Sequence, residues 1–226
     1  DIKVNELCKE IKKIFPRFIY LTNPNNPIGY TFSDKQIQKI LKTAKNIQAM
    51  VVIDEVYYEY FKKTSLNLIG KFENLAIVRS FSKSFGIAGL RLGYVLASAS
   101  CINVLKLVFN PKDITFLAVK AAEYMLDNVN LIDAYIKEIN HNKEIFYKYC
   151  KKNNIFYYPS SANFICYEVD SAERYLLFMN QRNIFLRDRS KYFDENMIRA
   201  TIGSNKSFDY FLKMDKQYRK HVRSGL

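Results

Sequence analysis

Residues 49–57 read AMVVIDEVY, an apolar run followed by two acidic residues and a tyrosine. The run at 49–53 is typical of a strand that is buried on both faces of a sheet. Residues 18–23, FIYLTN, form an earlier β-prone run. Between the two, Ser33 and Gln36 have the spacing of a capping box, and apolar residues then recur at the helical period. A strand, a crossover helix and a strand form a βαβ unit, so the two strands are predicted to be parallel.

Two further strands are predicted, at 75–79 (LAIVR) and 92–97 (LGYVLA). Ligands bind at the carboxyl ends of the strands in open parallel sheets, so the residues that follow each strand matter. Three strand ends are followed by polar segments: Asn23-Pro24-Asn25-Asn26-Pro27, Asp54-Glu55-Val56-Tyr57 and Ser80-Phe81-Ser82-Lys83-Ser84. Taken singly, Asp54 can be a cap, Asn26 a turn residue and Lys83 a surface lysine. Their joint position at one edge of one sheet favours a site instead.

The third segment has the chemistry of an anion site with a nucleophile. Ser80, Ser82 and Arg91 offer hydroxyl and guanidinium donors that suit a phosphate dianion. Lys83 lies among them and is the candidate amine nucleophile for a carbonyl group. This combination predicts a ligand that carries both a phosphate and a carbonyl.

The other two segments add groups that suit an aromatic ring. Asp54 offers a negative charge for a protonated ring nitrogen. Tyr57 offers a phenol, and Asn26 offers an amide, for a ring oxygen. A nucleophilic lysine, a carboxylate for a pyridinium nitrogen and a phosphate cup are the parts that a pyridoxal phosphate site requires.

The composition excludes several classes of protein. The chain has 226 residues and a net charge of +13, but its lysines are scattered along helices and often neighbour acids. This pattern favours solvated helix faces over a nucleic-acid site, and the basic cluster at 213–223 is interpreted as a frayed tail. No apolar run approaches the roughly 20 residues of a membrane span, and no signal peptide is visible. Four dispersed cysteines and two histidines indicate a reducing, cytoplasmic setting without a metal site.

The pattern changes after about Pro111, where a second domain is predicted to begin. Residues 113–150 have the pattern of one long helix or of two consecutive helices. The remaining predicted elements are strands at 163–169, 184–187 and 197–202, and helices at 172–182 and 206–218. Helices interleaved with short strands indicate a smaller α+β domain. The predicted domains are therefore 1–112 and 113–226.

Three motifs, at 23–29 (NPNNPIG), 54–57 (DEVY) and 80–93 (SFSKSFGIAGLRLG), occur in this order. Together they resemble the fold-type I, pyridoxal-phosphate-dependent aminotransferases of class I and II, most of all the histidinol-phosphate aminotransferase-like branch. The resemblance is strong over 18–98 and weaker over 186–207. It implies an α/β fold in three layers with a mostly parallel sheet. That large domain is incomplete here and is followed by the smaller α+β domain.

The resemblance also implies roles for individual residues. Lys83 forms the aldimine with pyridoxal 5′-phosphate and later moves a proton between Cα and C4′. Asp54 keeps the ring nitrogen protonated, while Tyr57 and Asn26 bind the phenolic oxygen. Arg199 grips the substrate carboxylate, with Asn26 also in the substrate site. Three residues are assigned to the phosphate: Ser80, Ser82 and Arg91.

The chain departs from the family pattern in two ways. Ile28 replaces a threonine in the first motif, which removes a hydroxyl donor. That motif begins at residue 23, whereas in the family it lies far into the chain. We therefore interpret the chain as the C-terminal part of an enzyme whose substrates are small amino and keto acids. The resemblance implies a homodimer for the full protein, and no membrane or nucleic-acid partner.

Two other functions share the same residues. A decarboxylase or lyase of the same fold would use Lys83 and Asp54 as well, and Arg187-Asp188-Arg189-Ser190 is compatible with a phosphorylated substrate. The aminotransferase-like sensor half of a transcription regulator is the alternative from another class. Product analysis separates the first from transamination, and the sequence upstream of Asp1 would reveal the second.

Overall fold

The computed structural model describes residues 3–110 and 114–224. The chain forms two compact units: residues 1–25 with 31–129 in unit 1, and residues 26–30 with 130–226 in unit 2. The segment 26–30 thus belongs to unit 2 although both its neighbours in the chain belong to unit 1. The predicted boundary between residues 112 and 113 lies outside the described residues and stays a prediction.

Unit 1 is built around a four-stranded sheet. Its described helices are Val4–Ile14 (α1), Asp34–Asn46 (α2), Tyr58–Phe61 (α3), Ala99–Val108 (α4) and Phe116–Asp127 (α5). Its strands are Phe18–Thr22 (β1), Met50–Asp54 (β2), Leu75–Ser80 (β3) and Gly93–Ala97 (β4). The strand order is β1-β2-β3-β4, with β1, β2 and β3 parallel and β4 antiparallel to β3. The predicted βαβ unit and the mostly parallel sheet are confirmed.

Helix α2 begins where the sequence predicted it. The Ser33 hydroxyl accepts a hydrogen bond from the Gln36 amide, and the Gln36 side chain accepts one from the Ser33 amide at 2.8 Å. This capping box satisfies two amides that the helix itself leaves without partners. Ile37, Ile40 and Leu41 are buried on the face that packs on the sheet.

The two faces of the unit 1 sheet are covered differently. Val51 and Ile53 of β2 are fully buried on the face towards α2. The opposite face is only partly covered, as the 57% exposure of Phe18 of β1 shows. There Val104 and Leu105 of α4 line a groove together with strand residues of that face. Helices on both faces give the three layers that the sequence predicted.

Unit 2 is an α+β unit with an antiparallel sheet. Its helices are Val129–Lys152 (α6, whose first residue is the last of unit 1), Ala172–Asn180 (α7) and Asn205–Arg223 (α8). Its strands are Tyr157–Tyr158 (β5), Phe164–Glu168 (β6), Arg187–Asp188 (β7) and Met197–Thr201 (β8), in the order β5-β6-β8-β7. Of the two alternatives for residues 113–150, the structure has two consecutive helices, α5 and α6. The interpretation of residues 213–223 as a frayed tail is wrong, because this segment is part of α8.

Helix α8 is attached to unit 2 by a buried acidic residue. The carboxylate of Asp215 is fully buried and accepts hydrogen bonds from the hydroxyls of Tyr149 and Tyr175, each at 2.7 Å. Arg219 donates to the same carboxylate at 3.0 Å and balances its charge. A buried charge is tolerated when it is paired and hydrogen-bonded in this way. The contact of Arg219 with Asp215 explains why α8 continues beyond the predicted 206–218.

Helix α6 carries a buried lysine. Lys143 is 5% exposed, and its ammonium donates to the backbone oxygens of Ser160 at 2.9 Å and Ala162 at 2.8 Å. Burial lowers its pKa from 10.5 to about 8, against a smaller raising effect of Glu144. The folded chain therefore gives up this proton more readily than the unfolded chain does.

This lowered pKa predicts a pH dependence of stability. Between about pH 8 and pH 10.5 the unfolded state binds the Lys143 proton more tightly, so deprotonation favours the folded state as the pH rises. We expect the free energy of unfolding of the wild type, relative to Lys143→Met, to increase by about 1 kcal/mol from pH 7.5 to pH 9. Urea denaturation of both proteins measures this difference. The buried thiols of Cys150 and Cys166 act in the opposite direction in both proteins and cancel. A difference that does not change with pH would contradict the prediction.

Candidate active site

The polar ends of β2 and β3 lie side by side at one edge of the unit 1 sheet. Asp54 is the last residue of β2 and is in register with Val78 of the parallel strand β3. Ser80 ends β3 two residues later, so its side chain leaves the sheet on the same face as that of Asp54. The Lys83 loop follows directly from this strand end. The structure thus brings together, in unit 1, the strand ends from which Asp54 and Lys83 were predicted to act.

The Asp54 carboxylate is held in a defined orientation. Tyr20 of β1 donates its hydroxyl to Oδ2 at 2.6 Å, and the Val56 amide donates to Oδ1 at 3.0 Å. Partial burial, followed by the hydrogen bond and the charge of Asp54, raises the pKa of Tyr20 to about 12. No basic side chain among the described residues forms an ion pair with Asp54. An oriented carboxylate without a cation fits the protonated nitrogen of a pyridine ring.

Tyr57 lies immediately before α3 and is buried, with 6% of its surface exposed. Two residues on, Glu59 of α3 accepts a hydrogen bond from the Ser84 hydroxyl at 2.8 Å. Burial raises the pKa of this carboxyl. The contact joins α3 to the residue that follows Lys83, so it fixes the lysine loop from one side. The role of Tyr57 towards a ring oxygen stays a prediction.

The Lys83 loop is ordered by its neighbours while the lysine itself stays exposed. The Ser80 hydroxyl accepts from the Ser82 amide at 3.0 Å. The rings of Phe81 and Phe85 lie 4.8 Å apart and are both buried. The Lys83 amine, in contrast, has no hydrogen bond or ion pair with any described residue. The exposed amine is free to reach a carbonyl group, and its role as the nucleophile stays a prediction.

Two of the predicted phosphate ligands keep donors available. The Ser82 hydroxyl makes no hydrogen bond within the described part of the chain, and Ser82 is half-buried. Arg91 is exposed, and its Nη1 donates a long hydrogen bond of 3.5 Å to the Ala88 oxygen. Arg91 has a left-handed backbone with φ 54°. The Ser80 hydroxyl is already engaged within the loop. These donors fit a phosphate group, and their assignment stays a prediction.

Arg79, the fifth residue of β3, is engaged inside unit 1. It donates to Glu55 Oε2 at 2.8 Å, and the Glu55 side chain is fully buried. The guanidinium also lies over the Tyr58 ring, 3.6 Å from its centroid. Glu55 and Arg79 therefore stabilise the two strand ends and do not themselves present free groups to a ligand.

The remaining predicted site residues lie in unit 2. Asn26 belongs to the 26–30 segment, and its Oδ1 accepts a hydrogen bond from Nη1 of Arg199 at 2.6 Å. Arg199 is on β8, in register with Arg187 of β7 and Cys166 of β6. Its guanidinium carbon lies 5.3 Å from the centroid of the Phe164 ring. The two residues predicted for the substrate site are thus in direct contact.

The family model described as "Aminotransferase class I and II" matches residues 1–214. The chain belongs to this family. It is 32% identical over 210 residues to the histidinol-phosphate aminotransferase of Caldanaerobacter subterraneus subsp. tengcongensis. The aligned region covers 92% of this chain and 59% of the relative. The chain therefore spans about three fifths of the length of this relative. The resemblance inferred from the three motifs is confirmed.

Two solved structures have the same fold as this chain. The histidinol-phosphate aminotransferase of Clostridium acetobutylicum superposes with a TM-score of 0.88 at 23% identity, covering 97% of this chain and 68% of that one. The L-threonine-O-3-phosphate decarboxylase of Porphyromonas gingivalis superposes with a TM-score of 0.76 at 25% identity, covering 90% and 64%. The predicted fold class, an α/β fold of type I with a smaller α+β part, is confirmed.

Tyr20 contacts the candidate site of this aminotransferase-family chain but was not predicted from the sequence. Tyr20 is the third residue of β1 and binds Asp54 directly. The predicted topology indicated this contact, because parallel pairing of β1 with β2 puts Tyr20 in register with Val52, two residues before Asp54 and on the same face of the sheet. Nothing in the local pattern of FIYLT distinguishes a tyrosine that contacts the site from one exposed on the surface.

Proposed function

We propose that the protein is a pyridoxal-phosphate-dependent aminotransferase. The proposal rests on one observation above all: Asp54 ends one strand, and the Lys83 loop follows the neighbouring parallel strand. Among the described residues, the Asp54 carboxylate forms no ion pair and the Lys83 amine forms no hydrogen bond. Membership of the aminotransferase family supports it. When bound, pyridoxal 5′-phosphate would supply the electron sink that lets the substrate Cα lose a proton.

Different residues of unit 1 would bind different parts of this cofactor. Asp54 would pair with the ring nitrogen, and Tyr57 with the ring oxygen. Lys83 would hold the aldehyde carbon, and its Nζ, once freed by the substrate, would carry a proton at the substrate Cα. The phosphate would be held by the residues that offer free donors after β3, together with the strand-end hydroxyl: Ser80, Ser82 and Arg91.

The residues of unit 2 would bind the substrate. Arg199 suits a carboxylate or phosphate because its planar guanidinium donates two parallel hydrogen bonds, and Asn26 fixes its orientation at 2.6 Å. Arg187 is its neighbour in register on β7 and adds a second positive charge. Two adjacent guanidinium groups favour a phosphorylated amine or amino acid as the amino donor. A relative named histidinol-phosphate aminotransferase agrees with this class of substrate.

The experiment that tests this function is product analysis. The purified protein is incubated with pyridoxal phosphate, 2-oxoglutarate and either histidinol phosphate or O-phosphothreonine. Formation of glutamate supports amino transfer. Release of carbon dioxide and an amine from O-phosphothreonine, without formation of glutamate, would instead support the decarboxylase alternative. The similarity to a phosphothreonine decarboxylase favours this alternative. Binding of the cofactor without turnover of either substrate would favour a sensor domain.

The Arg199–substrate contact gives a specific prediction. In Arg199→Gln we expect KM for the phosphorylated amine to rise about 100-fold, because a charged hydrogen-bond pair contributes about 1.5–3 kcal/mol. We expect kcat to fall much less, since the cofactor site in unit 1 is unchanged. The matched control is Arg174→Gln, an exposed arginine of unit 2 that pairs with Asp170. Equal effects of both substitutions, or none in Arg199→Gln, would contradict the assignment.

We also propose that the full protein is a cytoplasmic homodimer. The exposed apolar side chains at the end of α4 support an interface, with Leu107 84% and Val108 82% exposed. In the described part of the chain, no helix is long and apolar enough to cross a membrane.

A further inference from the structure

We infer that Lys143 is a positioning residue for the Asn26–Arg199 pair and acts through the loop 159–163. The inference rests on the proposed function in so far as it gives Arg199 the role of anion ligand. It concerns only residues of unit 2, so it does not depend on how the cofactor is held.

Lys143 is buried without a counter-charge. The residue is 5% exposed, and among the described residues no carboxylate forms an ion pair with its ammonium. Two of its three donors bind the Ser160 and Ala162 oxygens, at 2.9 and 2.8 Å. Burying a charge is costly, and an apolar side chain of similar length would fill the same space at lower cost. What the ammonium adds is a fixed geometry for the loop.

The loop is held at several points on one side of α6. The Ser160 amide donates to the Tyr147 hydroxyl at 2.9 Å, and the Ala162 amide donates to the Ser160 hydroxyl at 3.1 Å. Tyr147 is one helical turn after Lys143, so both residues reach the loop from the same face of α6. The loop is therefore fixed on both its backbone oxygens and its amides.

The fixed loop holds the 26–30 segment. The Ser161 amide donates to the Gly29 oxygen at 3.0 Å. Gly29 has φ +74°, and a Cβ at this position would lie 2.0 Å from the Ser160 hydroxyl. Only glycine allows this close approach. The contact explains why 26–30 belongs to unit 2, and it places Asn26, three residues before Gly29, against Arg199 at 2.6 Å.

The same loop is also followed directly by Phe164, another neighbour of Arg199. Strand β6 begins at Phe164, directly after the loop, and the Arg199 guanidinium carbon lies 5.3 Å from the centroid of the Phe164 ring. Lys143 thus fixes the start of β6 and the 26–30 segment together. Asn26 and Phe164, two neighbours of the Arg199 guanidinium, are thus attached to the loop that the buried ammonium holds.

The test compares three variants in the full protein. Lys143→Met removes the donors and the charge, Lys143→Arg keeps both, and Lys148→Met changes an exposed lysine of the same helix. Succinate is the carboxylate probe, and its Kd is measured in every variant by isothermal titration calorimetry. Arg199→Gln must abolish the binding, which shows that the probe reports on this residue. Hydrogen exchange of the Ser161 amide reports separately on the loop.

In Lys143→Met we expect Kd for succinate to rise about tenfold and exchange of the Ser161 amide to accelerate. Lys143→Arg should stay within threefold of the wild type, and Lys148→Met should not differ from it. If Lys143→Met does not fold, Lys143→Gln, with a shorter donor, should show an intermediate loss. Unchanged succinate affinity in the folded variant, despite faster exchange of Ser161, would overturn the inference and leave Lys143 a purely structural residue. A wild type that binds succinate through Arg199 but transfers no amino group would refute the proposed function and leave this inference standing.

Discussion

Replacing Lys83 by alanine is expected to abolish amino transfer, with a fall in kcat/KM of at least about a thousandfold. The Lys83 amine is exposed on an ordered loop and makes no hydrogen bond or ion pair within the described residues. An alanine methyl group neither holds an aldehyde carbon nor carries a proton at Cα. Steady-state kinetics and the visible absorbance of the bound cofactor measure the two losses separately.

The matched control for this experiment is Lys71→Ala. Lys71 is an exposed lysine of unit 1 that lies outside the strand-end segments, and it should leave both readouts unchanged. Because the Lys83 loop is ordered by Ser84–Glu59 and by the Phe81 and Phe85 rings, Lys83→Ala should retain wild-type stability. Turnover and cofactor absorbance that both persist in Lys83→Ala would end the aminotransferase assignment.

The βαβ core could be predicted because its signals are local. The capping box at Ser33 and Gln36, and the apolar spacing that follows, specify α2 without reference to the rest of the chain. A strand, a helix and a strand then allow one arrangement, a parallel pair, which puts the ends of β1 and β2, and with them Asn23 and Asp54, at the same edge. The predicted polar cluster in unit 1 followed from this topology.

Contacts between distant segments could not be predicted in the same way. Asn26 was assigned to a ring oxygen and to the substrate site, but nothing in NPNNPIG shows that 26–30 packs with residues more than 100 positions away. That association depends on the Gly29–Ser161 hydrogen bond and on Lys143, which together fix a non-local geometry. The two-residue strand β5 is likewise too short to produce a periodic pattern, and the strand predicted at 184–187 overlaps β7 at Arg187 alone.

A signal for Lys143 was nevertheless present in the sequence. Helix α6 buries Ile132, Ile136, Ile139 and Phe146, and Lys143 falls on this stripe, four residues after Ile139 and three before Phe146. A charged residue on the apolar face of a helix is either a break in the pattern or a buried group with a partner. The structure shows the second case, since two backbone oxygens accept from its ammonium.

Asp54→Asn is the substitution with the second largest expected effect, a fall in kcat of about 10²–10⁴. The carboxylate would keep a ring nitrogen protonated, and its charge is available because Tyr20 and the Val56 amide orient it without neutralising it. An asparagine keeps the volume and accepts one of these hydrogen bonds, but it has no charge. KM for the amino donor should change little, because Arg199 in unit 2 is unaffected. Stopped-flow rates with the substrate protonated or deuterated at Cα isolate the affected step, the loss of hydrogen from Cα.

Tyr20→Phe separates the charge of Asp54 from its orientation. It removes one donor at 2.6 Å and leaves the Val56 amide in place, so we expect a fall in kcat of less than about tenfold. Asp127→Asn, an exposed residue of α5, is the control for a general loss of negative charge in unit 1. The charge argument requires Asp54→Asn to be far more damaging than Tyr20→Phe, and Asp127→Asn to be silent. If Tyr20→Phe were as damaging as Asp54→Asn, the carboxylate would act by holding the tyrosine, and the phenol hydroxyl would be the group that the reaction requires.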